Sequence, residues 1–242
     1  MSLYLLLFIF FISCFLLFLK NKKQLSPTIQ ANNSISLNDA TKADLPENFG
    51  YKCVWIAVKN ANQKLLIEIL NLKETQHCNW KKGIEKAYQN GIFITPNIDC
   101  WTLICGRSLP WGDTIESKEK LQNLLNELSL QFDEAHFYAT YRVSDYHAWM
   151  KSCHGKVIRA FAIIGIDTIY NEGEPTVFET QFNLVDTTSK AYQEDENYFD
   201  RDDLTYPDED FVMLIADRWS IAPNTIEERT DIEESLGVIG IL

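Results

Sequence analysis

The sequence predicts a single α+β domain, with a mainly antiparallel sheet packed by helices, behind an amino-terminal transmembrane helix. Three observations point to it. Short β-branched and aromatic runs recur at strand length, and apolar residues at helical spacing lie between them. Residues 2–19 form one uncharged, apolar stretch. The 242 residues are 46% hydrophobic and 23% charged, which suits one sizeable globular domain and excludes a wholly disordered or fibrous chain.

The apolar stretch, SLYLLLFIFFISCFLLFL, would cover about 27 Å as a helix, close to a hydrocarbon core of about 30 Å. A cleaved signal should carry basic residues before the apolar run and a small-x-small site after it, and neither is present. Ile12-Ser13-Cys14 hints at a lipoprotein signal, but five apolar residues continue past Cys14. An uncleaved anchor over residues 1–23 is therefore expected, held in the bilayer by residues 2–19. Lys20, Lys22 and Lys23 follow at once, and basic flanks stay cytoplasmic. The expected location is the inner membrane, single-pass, with the soluble domain facing the cytoplasm. Five cysteines outside the anchor, at no disulfide-scaffold spacing, agree with a reducing compartment.

Residues 24–48 are rich in Ser, Thr, Asn, Pro and Ala, and read as a flexible tether to a domain over residues 49–242. After Lys23 the chain holds 19 basic and 34 acidic side chains. So acidic a domain is repelled by an anionic leaflet and by phosphate, so nucleic acid is excluded as a partner.

Taken in order, residues 53–58 (CVWIAV) read as a buried strand. Leu65, Leu66, Ile69 and Leu70 mark a helix. Trp80, Ile84, Ala87 and Tyr88 mark a second, with Asn90-Gly91 as its left-handed stop. Residues 92–94 and 100–105 read as strands. Leu121, Leu124, Leu125, Leu128 and Phe132 define the clearest helix, with Asp113 and Glu116 as a cap pair. Residues 135–142 alternate, placing His136, Tyr138, Thr140 and Arg142 on one face. Residues 146–151 and 156–164 flank Cys153-His154-Gly155 as a hairpin, in which Trp149 should face Ala160 and His147 face Ala162. Residues 171–175 are turn-rich. Residues 194–210 hold nine acidic side chains and one Arg, read as a solvated loop, and lead into a helix with Phe211, Leu214, Ile215 and Trp219 on one face. Asp208 is placed to start it. Pro223 stops it, and Thr225 with Glu228 suggests a new cap.

The phosphate-loop, dinucleotide, zincin and nucleophile-elbow motifs do not occur in the chain. Gly106 to Asp113 (GRSLPWGD) joins a strand to a helix, where ligands often bind, but lacks a phosphate-binding Lys and reads as a structured loop. His77, Cys78, Cys100 and Cys105 could be gathered into a metal set, yet strand alternation should point Cys100 and Cys105 to opposite faces. No metal and no cofactor is expected. Cys153-His154 sits at a hairpin tip, where adjacent side chains cannot serve one carbonyl. His147 reads as a hydrogen-bonded core histidine. The candidate binding residues are Tyr138, Arg142, His136 and His147, which combine acid-base groups, a phenol and a fixed cation.

Arg142-Val143, Tyr146-His147-Ala148-Trp149, Arg159-Ala160 and Asn171-Glu172-Gly173-Glu174-Pro175-Thr176, with Trp219-Ser220-Ile221-Ala222-Pro223 near the end, resemble a family of uncharacterised bacterial proteins. The resemblance covers residues 51–223 and implies one intact domain, with no activity to transfer. Two functions are then open. The first is a membrane-anchored, non-enzymatic acidic module, immunity- or inhibitor-like, that engages a basic protein. The second is a hydrolase or transferase with a polar site around His136, Arg142 and His147.

Overall fold

A computed structural model describes residues 40–242. The anchor, its lysines and most of the tether lie outside the described residues. Among those described, no helix is long and apolar enough to cross a membrane.

The centre is a nine-stranded sheet in the order β2-β11-β3-β4-β1-β5-β6-β7-β8. Every neighbouring pair in it is antiparallel. Its middle is β1 (Cys53–Lys59), the CVWIAV run, flanked by β4 (Trp101–Cys105) and β5 (Glu134–Tyr141). On the far side β5, β6 (Tyr146–Cys153), β7 (Lys156–Ile164) and β8 (Asp167–Glu172) form a meander. On the near side β3 (Ile92–Ile98) pairs with β4. The carboxy-terminal β11 (Gly237–Ile241) slots between β3 and the edge strand β2 (Lys73–Cys78).

Period-two alternation sends the two faces into separate cores. Val54, Ile56, Phe137, Ala139, Ala148 and Met150 pack beneath α1 (Gln63–Ile69) and α3 (Ile115–Phe132), through Leu66, Leu121, Leu125 and Leu128. Trp55, Tyr138, Trp149 and Phe161 face α2 (Trp80–Ala87) and α5 (Glu209–Trp219), through Trp80, Ile84, Phe211 and Ile215. The segment between β8 and α5 extends that second cover. It contains the short helix α4 (Lys190–Glu194) and a two-stranded parallel pair, β9 (Asn183–Leu184) with β10 (Leu204–Thr205). A sheet buried on both faces explains why these strands read as continuous apolar runs.

Several local expectations are corrected. The hairpin tip is the two-residue His154-Gly155 turn, with φ of 49° and 81°. Cys153 pairs with Lys156 and Ser152 with Val157, but Lys151 pairs with Arg159, so Ile158 is a bulge. The extra residue moves Trp149 opposite Phe161 and His147 opposite Ile163. Trp149 then stacks on Phe161, ring centroids 4.5 Å apart. Helix α2 ends on Tyr88 in right-handed conformation, and neither Asn90 nor Gly91 has positive φ. Gly91 sits instead against Ile239, whose Cδ1 would lie 2.8 Å from a Cβ at this position. Thr114, not Asp113, caps α3, its hydroxyl accepting from Ser117 N at 3.2 Å. Thr225 caps nothing with its side chain and precedes one 3-10 turn, Ile226–Glu228. Cys100 lies in the β3–β4 turn and packs against the same core as Cys105, so the two thiols are not split between faces.

Residues 44–48, read as tether, are bound to the domain. Asp44 bridges to Ser235 in a β-bridge, and its carboxylate accepts from Trp80 N at 2.7 Å and Lys81 N at 3.2 Å. Asn48 exchanges hydrogen bonds with Glu227 at 2.8 and 3.0 Å.

Candidate functional site

The stripe on β5 has the predicted alternation but is closed to solvent over most of its length. His136, Tyr138 and Thr140 are fully buried, because α5 lies across that face. Tyr138 Oη is 2.9 Å from Ser220 Oγ at the end of α5 and 3.5 Å from His136 Nδ1. Burial pushes the Tyr138 phenol far above its ordinary range. The His136 ring lies between Trp101 and Trp219, centroids at 4.9 and 5.8 Å. Its Nε2 is 3.3 Å from Glu134 Oε2, poorly aligned for a hydrogen bond. Burial pulls the imidazole below its ordinary value, so it is neutral at physiological pH.

Glu134 completes this cluster. Its carboxylate is 2.5 Å from Lys59 Nζ and 3.4 Å from Lys151 Nζ. Contact with His136 and then the Lys59 hydrogen bond hold the carboxyl far below its usual range, against burial.

His147 is the hydrogen-bonded core histidine expected of it. Nδ1 is 3.2 Å from Thr140 Oγ1 and Nε2 is 3.1 Å from Asp145 Oδ1, with the ring 2% exposed. Arg142 leaves the stripe altogether. β5 ends at Tyr141, so Arg142 falls in the β5–β6 turn, exposed, 3.5 Å from Glu209. The structure thus joins His136 to Tyr138 and His147 to Thr140, and separates Arg142 from both.

Trp149, Arg159, Asn171 and Thr176 meet in one buried network around Glu179, a residue without a signal of its own in the sequence. Glu179 Oε1 accepts from Arg159 Nε and Trp149 Nε1, both at 2.8 Å. Its Oε2 accepts from Thr176 N and Thr176 Oγ1, again at 2.8 Å. Arg159 also donates to Asn171 Oδ1 at 2.6 Å and Glu172 O at 3.1 Å. Gly173 (φ +76°) lets the chain pass, since a Cβ would sit 2.0 Å from Ile158 O. These residues therefore pin the segment after β8 onto the sheet. Trp219 and Ser220, at the end of α5, close the cover over His136 and Tyr138.

That pinned segment carries a run of acidic side chains. Asp203 pairs with Arg201, Asp208 caps α5 by accepting from Phe211 N at 2.8 Å, and Asp210 accepts from Tyr51 Oη at 3.1 Å. Glu194, Glu196, Asp200 and Asp202 are exposed, and their carboxylates have no ion-pair or hydrogen-bond partner among the described residues. Within them stands an aromatic knot. Tyr192, Tyr198 and Phe199 pack edge to face with centroids 5.4–5.5 Å apart. Tyr198 is buried, its hydroxyl accepting from Asp186 N at 2.9 Å, whereas Tyr192 and Phe199 are 36% and 40% exposed. Tyr198 and Phe199 belong to no periodic pattern, which is why sequence reading saw only the acids around them.

Among the described residues no group of three or more His, Cys, Asp or Glu could hold a metal ion. Cys53 and Cys105 are buried, and burial raises both thiols, Cys53 to about 12. Comparison with family models, curated proteins and solved structures finds no match to this chain.

Proposed function

We propose that the chain is a membrane-anchored, non-enzymatic interaction module whose acidic surface receives a basic protein, in the manner of an immunity or inhibitor protein. The observation that carries this reading is the pairing of four uncommitted carboxylates with the Tyr192–Tyr198–Phe199 knot. Exposed charges steer a partner but bind it weakly, and an exposed aromatic centre supplies the apolar contact that holds it. The knot is also preorganised, because the Glu179 network and buried Tyr198 fix its segment. Residues 2–19 would hold the module in the inner membrane, and Lys20, Lys22 and Lys23 would keep it on the cytoplasmic side.

The alternative, a hydrolase or transferase around His136, Arg142 and His147, draws little support from the geometry. Both rings are enclosed, and Arg142 is turned to Glu209.

The test begins with capture of the full chain's partner from gently solubilised membranes. Association is then followed with the purified partner across a salt series. Changing Glu194, Glu196, Asp200 and Asp202 to their amides should slow association about tenfold at low salt and change dissociation little. Phe199→Ala should speed dissociation instead. Unchanged rates in both variants would remove this surface from the interaction.

A further inference from the structure

The Gly106–Asp113 loop forms one wall of a cleft of about 540 Å³, within the roughly 300–1,000 Å³ of small-molecule sites. The other walls come from the turn after α2, the β5–β6 turn with its flanks, and the end of β7. This cleft packs on the α1/α3 side of the sheet, so it is separate from the acidic segment, which covers the other core.

Three aromatic rings line it: Trp111, Tyr141 and Tyr146. The indole of Trp111 meets Tyr141 edge to face at 5.6 Å and lies 6.4 Å from Tyr146. The rings are fixed before any ligand arrives. Trp111 Nε1 donates to Arg107 O at 3.1 Å, Tyr146 Oη donates to Trp111 O at 2.5 Å, and Gly112 N donates to Ser117 Oγ at 2.9 Å. Gly112 takes φ +74°, and a Cβ there would press on Leu121 and Tyr170 at 3.0 Å.

Two opposite charges share the cleft, Arg107 and Asp113. Four of the six arginines lie within 4 Å of a carboxylate: Arg142, Arg159, Arg201 and Arg229. Arg107 does not. Its guanidinium stands 5.9 Å over the Tyr141 ring, with no ion pair among the described residues. Asp113 likewise has no ion pair or side-chain hydrogen bond among them. In a chain of formal charge −12, an arginine left uncommitted beside an uncommitted carboxylate, neither paired to the other, is a set of terminals for a ligand bearing both signs.

We propose that the cleft binds a small aromatic zwitterion of the amino-acid type. Its carboxylate meets the Arg107 guanidinium, its ammonium meets Asp113, and its ring lies against Trp111 and Tyr141. A simple anion would leave Asp113 opposing it, and a simple cation would be opposed by Arg107. A neutral aromatic would use neither charge.

Trp111 provides the readout. Five of the six tryptophans are buried and Trp111 is half-exposed, so acrylamide quenching of indole fluorescence reports on this ring. With the full chain in mild detergent, phenylalanine should protect that fluorescence saturably, with a Kd in or below the millimolar range. Phenylalaninamide, phenylpropionate and alanine, each lacking one of the three features, should bind at least tenfold more weakly. Arg107→Leu and Asp113→Asn, both changes of exposed side chains, should each weaken phenylalanine at least tenfold. The proposal is overturned by absence of saturable protection up to about 10 mM, by equal binding of any truncated probe, or by variants that bind as the native chain does.

Discussion

The most consequential single residue is Glu179. It is 1% exposed and accepts four hydrogen bonds, from Arg159, Trp149 and twice from Thr176. A buried carboxylate with every lone pair used is tolerated, but removing it strands a buried guanidinium and an indole N–H. Glu179→Ala should cost about 3–5 kcal/mol in urea unfolding. Replacing Arg159 by Met in the same chain should recover part of that loss, because the stranded charge goes with it. If the single variant loses less than about 1 kcal/mol, the network does not hold the segment down.

Also at the level of single groups, His136 and Glu134 make a pH prediction. Neutral His136 is faced by Glu134, Lys59, Lys151, Tyr138, Trp101 and Trp219. Burial lowers its folded value below the unfolded one of about 6.5. The unfolded chain therefore binds the proton first, and stability present above that pH is lost as the pH falls through it. Glu134, whose folded value is depressed, adds a loss in the same direction below about 4.3. The urea midpoint should decline from pH 7 to 5, and His136→Gln should flatten that part of the curve. A variant with an unchanged slope would place the acid sensitivity elsewhere.

Among the elements, α2 shows most clearly how distant sequence shapes a local structure. Asn79 is its N-cap, accepting from Lys82 N at 3.1 Å, but the N–H groups of Trp80 and Lys81 are taken by Asp44. A chain beginning at residue 49 would therefore expose the first turn of α2 and release the β-bridge to Ser235, just before β11. Asp44→Ala should lower stability by about 0.5–2 kcal/mol, as loss of a cap does. Truncation to residue 49 should cost more than truncation to residue 41, and hydrogen exchange should speed up in α2 and β11. Equal melting of the two truncated chains would return residues 44–48 to the tether.

At the scale of the whole molecule, the charge is the dominant fact. The chain carries −12, with 22 basic against 34 acidic side chains. Such a domain is repelled by an anionic leaflet, so the proposed membrane attachment rests on residues 2–19. The full chain should stay with membranes through an alkaline wash, and protease added outside intact cells should leave the domain uncut. Release by the wash would remove the anchor, and cleavage in unbroken cells would reverse the orientation.

By itself the sequence determined the class of the fold, most of its strands, the three longest helices and the place of the hairpin around His154-Gly155. Each of these rests on periodicity or on a turn residue, and both are local. Five strands escaped it, β2, β8, β9, β10 and β11, and for two of them the physical reason is plain. β2 reads KETQHC, an exposed edge with little apolar content, and β11 gains its place only by inserting between β2 and β3 from the far end of the chain. The bulge at Ile158 shifted the hairpin register, because one extra residue is invisible to alternation. Only the tertiary structure decided which polar residues are spent and which are free. The stripe of His136, Tyr138 and Thr140 has the pattern of a wet sheet face, but α5 lies over it and turns its polar atoms inward. Arg107 and Asp113 sit in one loop whose sequence says nothing of their partners. Burial and pairing are properties of what another part of the chain brings close, and a one-dimensional pattern does not carry that information.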